Sequence, residues 1–296
     1  MVADSGTMKL GSLSVHRLGF GTMQLTGPGV WGPPRDHDGA ISVLRRADEL
    51  GVDLFDTADS YGPNVAEELI REALHPYPEQ LKIATKAGFT RSGPGRWKAK
   101  GNPEYLREQC EGSLRRLGVD QIDLFQLHRV DERVPASEQY GLLKQLRDEG
   151  KVREVGLSEV SVAQIEEALT IVPLVSVQNQ YHLAQRSADD VVDFCERQMI
   201  GFIPWHPLGN GELTHTGGPV DLIANELNAT VSQVCLAWLL RRSAVMLPIP
   251  GTSSLAHLEE NCAAAKVQLS DAQFSQLTDA RKKVRRWSMQ RAQDDA

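Results

Sequence analysis

Three short stretches hold the side chains best suited to chemistry. FDTADSYG at 55–62 carries Asp56 and Tyr61, IATKAG at 83–88 carries Lys86, and LFQLH at 124–128 carries His128. Each residue alone has a plain structural use. Asp56 could cap a helix, Tyr61 could be a surface aromatic, Lys86 could snorkel from a rim, and His128 could be a satisfied core histidine. Brought to one point they form a proton-transfer device. A phenol ordinarily loses its proton near pH 10, about three units above neutrality. A neighbouring ammonium favours the phenolate and pulls that value toward the working pH. A buried lysine in turn needs a counter-charge to keep its own proton, and Asp56 can supply it. A neutral His128 can hydrogen-bond a substrate oxygen and fix its direction. Such a set suits protonation of an oxygen while the adjoining carbon takes a hydride, which is the reduction of a carbonyl. A different use of the same lysine is a Schiff base in a lyase or isomerase.

The convergence of four residues requires elements that end side by side. Short β-branched or apolar runs predict eight strands, at 17–20, 53–57, 81–86, 122–128, 152–158, 174–180, 201–205 and 246–249. Amphipathic stretches with i, i+3, i+4 apolar spacing predict helices at 38–50, 65–73, 103–117, 137–149, 161–169, 189–197, 231–242 and 255–265. Several close on a glycine, as at Gly51, Gly118 and Gly150. Eight strands alternating with helices predict an α/β fold, a (β/α)8 TIM barrel, with Asp56, Lys86 and His128 at or near successive strand ends. An open doubly wound sheet shares the alternation, but no GxGxxG follows the first strand and no composition break divides the chain. The stretch 9–15, with a Gly-Ser turn, predicts an N-terminal β-hairpin closing the bottom of the barrel. Residues 1–296 are expected to form one domain. Long Gly- and Pro-rich connections at 22–36, 87–102 and 206–219 each follow a strand, where barrel enzymes build their sites.

Together, FDTADSYG, IATKAG and LFQLH resemble the motifs of the aldo-keto reductase superfamily. The similarity runs from GFGTM at 19–23 to PGTSS and EEN near 250–261. It implies that Asp56, Tyr61, Lys86 and His128 are the catalytic tetrad and that NADP(H) is the cofactor. By the same resemblance, Gly21, Thr22 and Met23 lie near the nicotinamide ribose. Ser158 and Gln178 hold the carboxamide, and Trp205 stands where the family has a stacking aromatic, usually Tyr. His206, Pro207, Leu208 and Gly211 fall in the loop that contacts the pyrophosphate. Gly251, Thr252, Ser253 and His257 fall in the pocket for the adenosine 2′-phosphate, and Glu260 and Asn261 at the adenine. Two departures stand out. Glu159 replaces the usual Asn after Ser158, and a carboxylate can accept from an amide NH2 but cannot donate. Gly251 and His257 replace a frequent Lys and Arg, so two cationic phosphate contacts are missing. MQLTGPGVWGPPRD at 23–36 is similar to bacterial members grouped with pyridoxal reductases, which makes pyridoxal the first substrate to consider. Trp31, in that loop, is a candidate wall for the small carbonyl substrate, and Trp97 is another. Some relatives of this fold act as NADPH-binding, redox-sensing regulatory subunits, which is the alternative to a reductase.

Composition bounds the remaining classes. The chain has 296 residues, 41% hydrophobic and 24% charged, with a formal net charge of −7. That surface repels a phosphate backbone, so nucleic acid is not an expected partner. No apolar run approaches the roughly 18 residues of a membrane span, and no signal peptide is recognisable, so a cytoplasmic protein is expected, monomeric or weakly self-associating. Cys110, Cys195, Cys235 and Cys262 are far apart and form no CxxC, which reads as buried thiols and no metal site. The basic run 281–286 reads as a solvated helix face, and the short charged tail after it suggests an open mouth without a long lid.

Overall fold

The computed structural model describes residues 2–209 and 218–280. Gly211, part of the loop after the seventh strand and the basic run 281–286 lie outside the described residues. The chain opens with an antiparallel hairpin, β1 (Thr7–Leu10) and β2 (Leu13–His16). Seven parallel strands follow in one curled sheet: β3 (Phe20–Gly21), β4 (Leu54–Asp56), β5 (Lys82–Ala87), β8 (Ile122–Leu127), β9 (Val152–Ser158), β10 (Ser176–Gln178) and β11 (Gly201–Phe202). Helices α1 (His37–Glu49), α2 (Val65–Leu74), α3 (Pro103–Leu117), α4 (Ala136–Asp148), α5 (Val162–Leu169) and α6 (Asp189–Gln198) connect them. The later helices are α7 (Pro219–Glu226), α8 (Val231–Arg242), α9 (Leu255–Ala263) and α10 (Asp271–Asp279). This is the (β/α)8 barrel that the alternation of elements predicts. Among the described residues no helix is long and apolar enough to cross a membrane.

The eighth stave differs from the expected strand at 246–249. Met246 makes one parallel bridge to Phe202, Leu247 N–H donates to Phe202 O at 2.8 Å, and Gly19 N–H donates to Pro248 O at 3.0 Å. The segment therefore closes the ring between the last and first strands without a regular ladder. Pro248 and Pro250 have no N–H to give to one. Arg17 staples the seam by donating to Ser243 O at 2.6 Å and Met246 O at 3.3 Å.

The two-residue period of a strand sorts its side chains. Phe55, Phe125, Val155, Val177 and Phe202 point outward into the main core beneath the helices. Leu54, Ala84, Leu124, Ile203 and Leu247 point inward and pack against Leu10, Leu13 and Val15 of the hairpin. The hairpin thus fills the lower barrel with apolar side chains. Ser12 N–H holds it there by donating to Glu154 at 2.7 Å, and His16 N–H by donating to Asp53 at 2.9 Å. Two residues further along the same inward face come Asp56, Lys86 and Gln126. The barrel interior is apolar below and polar above.

Among the strands and α-helices, four were not anticipated. A hairpin, β6 (Phe89–Gly93) and β7 (Arg96–Ala99), stands within the long connection 87–102. Helix α7 begins with Pro219 in its first turn, a favoured position for proline. Helix α10 opens with a capping box between Ser270 and Gln273.

Candidate active site

Asp56 ends β4, and the chain then turns back toward β5. Thr57 N–H donates to Ala84 O at 2.8 Å and Asp59 N–H to Lys86 O at 3.1 Å, which lashes the turn to its neighbour. Tyr61 follows, and Gly62 at φ +105° returns the chain to α2; a Cβ there would lie 2.4 Å from Cβ of Val65. This local path brings the phenol over the end of β5. Lys86 Nζ donates to Asp56 Oδ1 at 2.6 Å, to Thr57 O at 2.8 Å and to Tyr61 Oη at 3.3 Å. Asp56 Oδ2 accepts from Gln178 Nε2 at 2.8 Å and from Gln126 Nε2 at 3.4 Å. His128, one residue past β8, packs its ring edge-on to Tyr61 at 5.9 Å and to Phe89 at 4.7 Å. Its Nδ1 lies 3.4 Å from Ser60 Oγ, and its Nε2 has no partner among the described residues.

Burial sets the charge states. It depresses Lys86, but the attraction of Asp56 and then Tyr61 outweighs it, so the ammonium is held above its ordinary value. Burial, with Lys86, Arg129 and Arg91 adding repulsion, drives His128 well below the usual imidazole value, so it is neutral at neutral pH. Tyr61 departs from the sequence argument. Burial raises the phenol more than Lys86 lowers it, and Tyr61 stands above its ordinary value rather than below. It is therefore fully protonated at neutral pH, beside a cation able to stabilise the anion left when its proton departs.

These groups open into a cavity of about 800 Å³. One end is lined by Tyr61, Phe89, Trp97 and His128; the floor holds Asp56, Ser158 and Gln178. The lining also includes Trp205, His206, Pro207 and Leu208 after β11, Gly251 and His257 after the eighth stave, and Gly21, Thr22 and Met23 at the end of β3. Gly21 and Gly251 meet backbone to backbone: a Cβ on Gly251 would lie 2.5 Å from Gly21 O, and one on Gly21 would lie 2.8 Å from Ile249 O. Four residues implicated in the cofactor's far end stand outside the lining. Thr252 is buried and accepts from Ser254 N–H at 3.1 Å, while Ser253 is exposed. Ser254 Oγ accepts from His257 N–H at 3.4 Å and caps α9. Glu260 accepts from Thr230 Oγ1 at 2.6 Å, and Asn261 is buried.

Trp31 requires a correction. It does not line the cavity; Val30 and Trp97 do. Trp31 N–H donates to Gly27 O at 3.2 Å, and its ring lies 5.7 Å from the Arg91 guanidinium, so it anchors its own loop. Arg91 sits 3.5 Å above the Trp97 ring and donates to Val30 O and Ser60 O, both at 2.8 Å. That arginine ties the first loop to the β6–β7 hairpin and sets the wall.

Glu159 has a use that sequence reasoning missed. It holds a left-handed φ of 55°, and its Oε1 accepts from Trp205 Nε1 and from Gln180 N–H, each at 2.6 Å. Trp205 also stacks on His206 at 5.7 Å and 17°. The unusual Glu and the unusual Trp are thus one feature, a carboxylate fixing an indole. Phe89, Arg129, Val231, Ser232 and Cys235 line the cavity as well and were not foreseen. Arg129 and Phe89 each lie within three residues of a motif, which is the available signal.

The profile of the aldo/keto reductase family matches residues 17–282. The chain belongs to the aldo/keto reductase family. With it the chain is placed among oxidoreductases. Pyridoxine 4-dehydrogenase of Escherichia coli is 44% identical over 280 residues, covering 93% of this chain and 98% of that one. An uncharacterized oxidoreductase of Schizosaccharomyces pombe is 48% identical over 277 residues, 94% of this chain and 90% of that one. Among solved structures, an aldo-keto reductase from Klebsiella pneumoniae in complex with NADPH superposes with a TM-score of 0.76 at 27% identity, over 90% and 91% of the two chains. In this aldo/keto reductase the ion pair, the phenol and the imidazole share one rim of the barrel.

Proposed function

We propose that this aldo/keto reductase uses NADP(H) to reduce an aldehyde or ketone to the alcohol, with Tyr61 as the proton donor. The observation that carries the reading is the chain of contacts from Asp56 to Lys86 at 2.6 Å and from Lys86 to Tyr61 at 3.3 Å, opening on the cavity. The cavity fits a dinucleotide with a small carbonyl compound beside it, since its roughly 800 Å³ lies high in the range of about 300–1,000 Å³ for ligand sites. A flat aromatic wall at Trp205, hydroxyl and amide groups at Ser158 and Gln178, and the start of α9 match the ring, carboxamide and phosphate of such a ligand. When bound, the nicotinamide supplies the hydride to the carbonyl carbon.

The chain's own residues do the rest. His128, neutral, presents Nε2 to the carbonyl oxygen and orients it between imidazole and phenol. Tyr61 transfers its proton to that oxygen as negative charge develops there. Lys86 steadies the phenolate left behind, and Asp56 keeps the lysine charged. Trp97 and Phe89 give the reacting end an aromatic wall. The resemblance to an Escherichia coli pyridoxine 4-dehydrogenase supports the pyridoxal–pyridoxine pair as the first to assay. The test is NADPH consumption across a panel of aldehydes and ketones that includes pyridoxal, with Tyr61→Phe as control. Tyr61→Phe should lower the rate by about 10²-fold or more while NADPH still quenches tryptophan fluorescence. An unchanged rate would remove Tyr61 as the acid.

A further inference from the structure

The reacting end of the cavity holds a cation that the chemistry above does not use. Arg129 follows His128 directly, and its half-buried side chain lines the cavity. Nη1 donates to His128 O at 2.6 Å and to Ser158 Oγ at 3.1 Å. These two bonds fix the guanidinium with its carbon 5.2 Å from the Phe89 ring, the ring against which His128 also packs. Nε and Nη2 have no partner among the described residues, and no carboxylate pairs with this arginine there; Glu159 attracts it only from a distance. Five other arginines show what committed ones look like. Arg46, Arg107, Arg116 and Arg242 form salt bridges, and Arg91 is spent on backbone carbonyls and the Trp97 face.

A guanidinium keeps its charge in such a place and offers N–H groups in a planar fork. A desolvated cation without a counter-ion is costly, and a carboxylate or phosphate arriving in the cavity relieves that cost. The cofactor is poorly placed to provide one. The stretches expected to meet its phosphates, His206–Leu208 after β11 and Gly251–His257 after the eighth stave, lie three and four positions round the barrel from β8, which Arg129 follows, and the carboxamide expected beside Ser158 is uncharged. We infer that Arg129 is the anion-recognising residue of the substrate pocket, and that the favoured carbonyl substrates carry a carboxylate or phosphate. The inference rests on the reductase reading above and narrows it to a substrate class.

The test compares matched probes in one protein. The carboxybenzaldehyde isomers are set against their methyl esters, and pyridoxal 5′-phosphate against pyridoxal. For at least one pair, kcat/KM should favour the anion by about tenfold or more, as expected of a charge-assisted hydrogen bond. In Arg129→Met that ratio should fall to about one, and Arg129→Lys, which keeps the charge without the fork, should fall between. The pairs separate the two anion sources. A calorimetric arm uses the NADP⁺-loaded protein with benzoate and benzamide, neither of which is reduced. Benzoate should bind more tightly, by a margin that Arg129→Met removes. No preference for any anion in the wild-type protein would overturn the inference, as would a preference that survives in Arg129→Met. A loss of NADPH affinity in Arg129→Met as large as the loss of anion affinity would assign the guanidinium to the cofactor and overturn it too. Absence of turnover with every aldehyde would refute the reductase reading instead, and the calorimetric arm would still decide the role of Arg129.

Discussion

Replacing Lys86 by Met separates what the ion pair does for folding from what it does for chemistry. Met matches the length of the lysine stem but carries no charge. Both partners are essentially inaccessible, with side chains 0% and 2% exposed. In the variant, Asp56 loses its 2.6 Å partner and retains only the amides of Gln178 and Gln126. Removing one member of a buried pair costs about 3–5 kcal/mol. For 296 residues, an unfolding entropy of about 2.1 cal/mol/K per residue gives about 0.6 kcal/mol/K, so Tm should fall by about 5–8 °C. The rate of carbonyl reduction should fall by about 10²-fold or more, because the phenolate has lost its cation. The double variant Asp56→Asn with Lys86→Met removes both charges. It should regain more than half of the lost Tm and none of the lost rate. Calorimetry and NADPH consumption measure the two effects side by side. A Lys86→Met protein that melts within about 2 °C of wild type, or reduces aldehydes within about tenfold of it, would refute the reasoning.

Two further outcomes are expected. Tyr61 is raised and His128 is lowered from their ordinary values, so the acid is protonated and the imidazole neutral across the whole interval between them. The rate of reduction should be level at least between about pH 6.5 and about pH 10, falling on the alkaline side only above Tyr61's raised value. A steady decline beginning near neutrality would show a phenol with a depressed pKa. At Trp205, Glu159→Ala removes the acceptor of two 2.6 Å bonds, which should cost about 1–3 kcal/mol of stability and weaken NADPH binding several-fold in a fluorescence titration. Glu159→Gln, which keeps an acceptor oxygen, should restore most of both. Equal affinity in all three proteins would mean that stacking on His206 suffices to hold the indole.

The parts legible in the sequence share a cause. Asp56, Lys86 and His128 each sit within one residue of the end of neighbouring strands, and Tyr61 one short turn on, so knowing the strands is enough to bring them together. The hairpin was legible from its Gly-Ser turn and flanking apolar residues. What stayed hidden depends on contacts with no local period. Glu159 and Trp205 meet only because β9, β10 and β11 run side by side, and nothing near either residue announces the other. The eighth stave was placed correctly but misjudged in form, since Pro248 and Pro250 forbid the ladder that its apolar run suggests. Trp31 and Val30 are adjacent, and which one faced the cavity was decided by Arg91 reaching across from another hairpin. The phenol's raised pKa turned on burial against one cation, a balance that depends on distances.

The greasy floor beneath Asp56 and Lys86 has a kinetic consequence. Leu10, Leu13 and Val15 close the barrel from below with Leu54, Ala84 and Leu124, so the approach from that side is packed with apolar side chains. In the proposed reduction this leaves the mouth, where cofactor and substrate would enter, as the route by which the phenol regains its hydrogen, so rearming would wait on their departure.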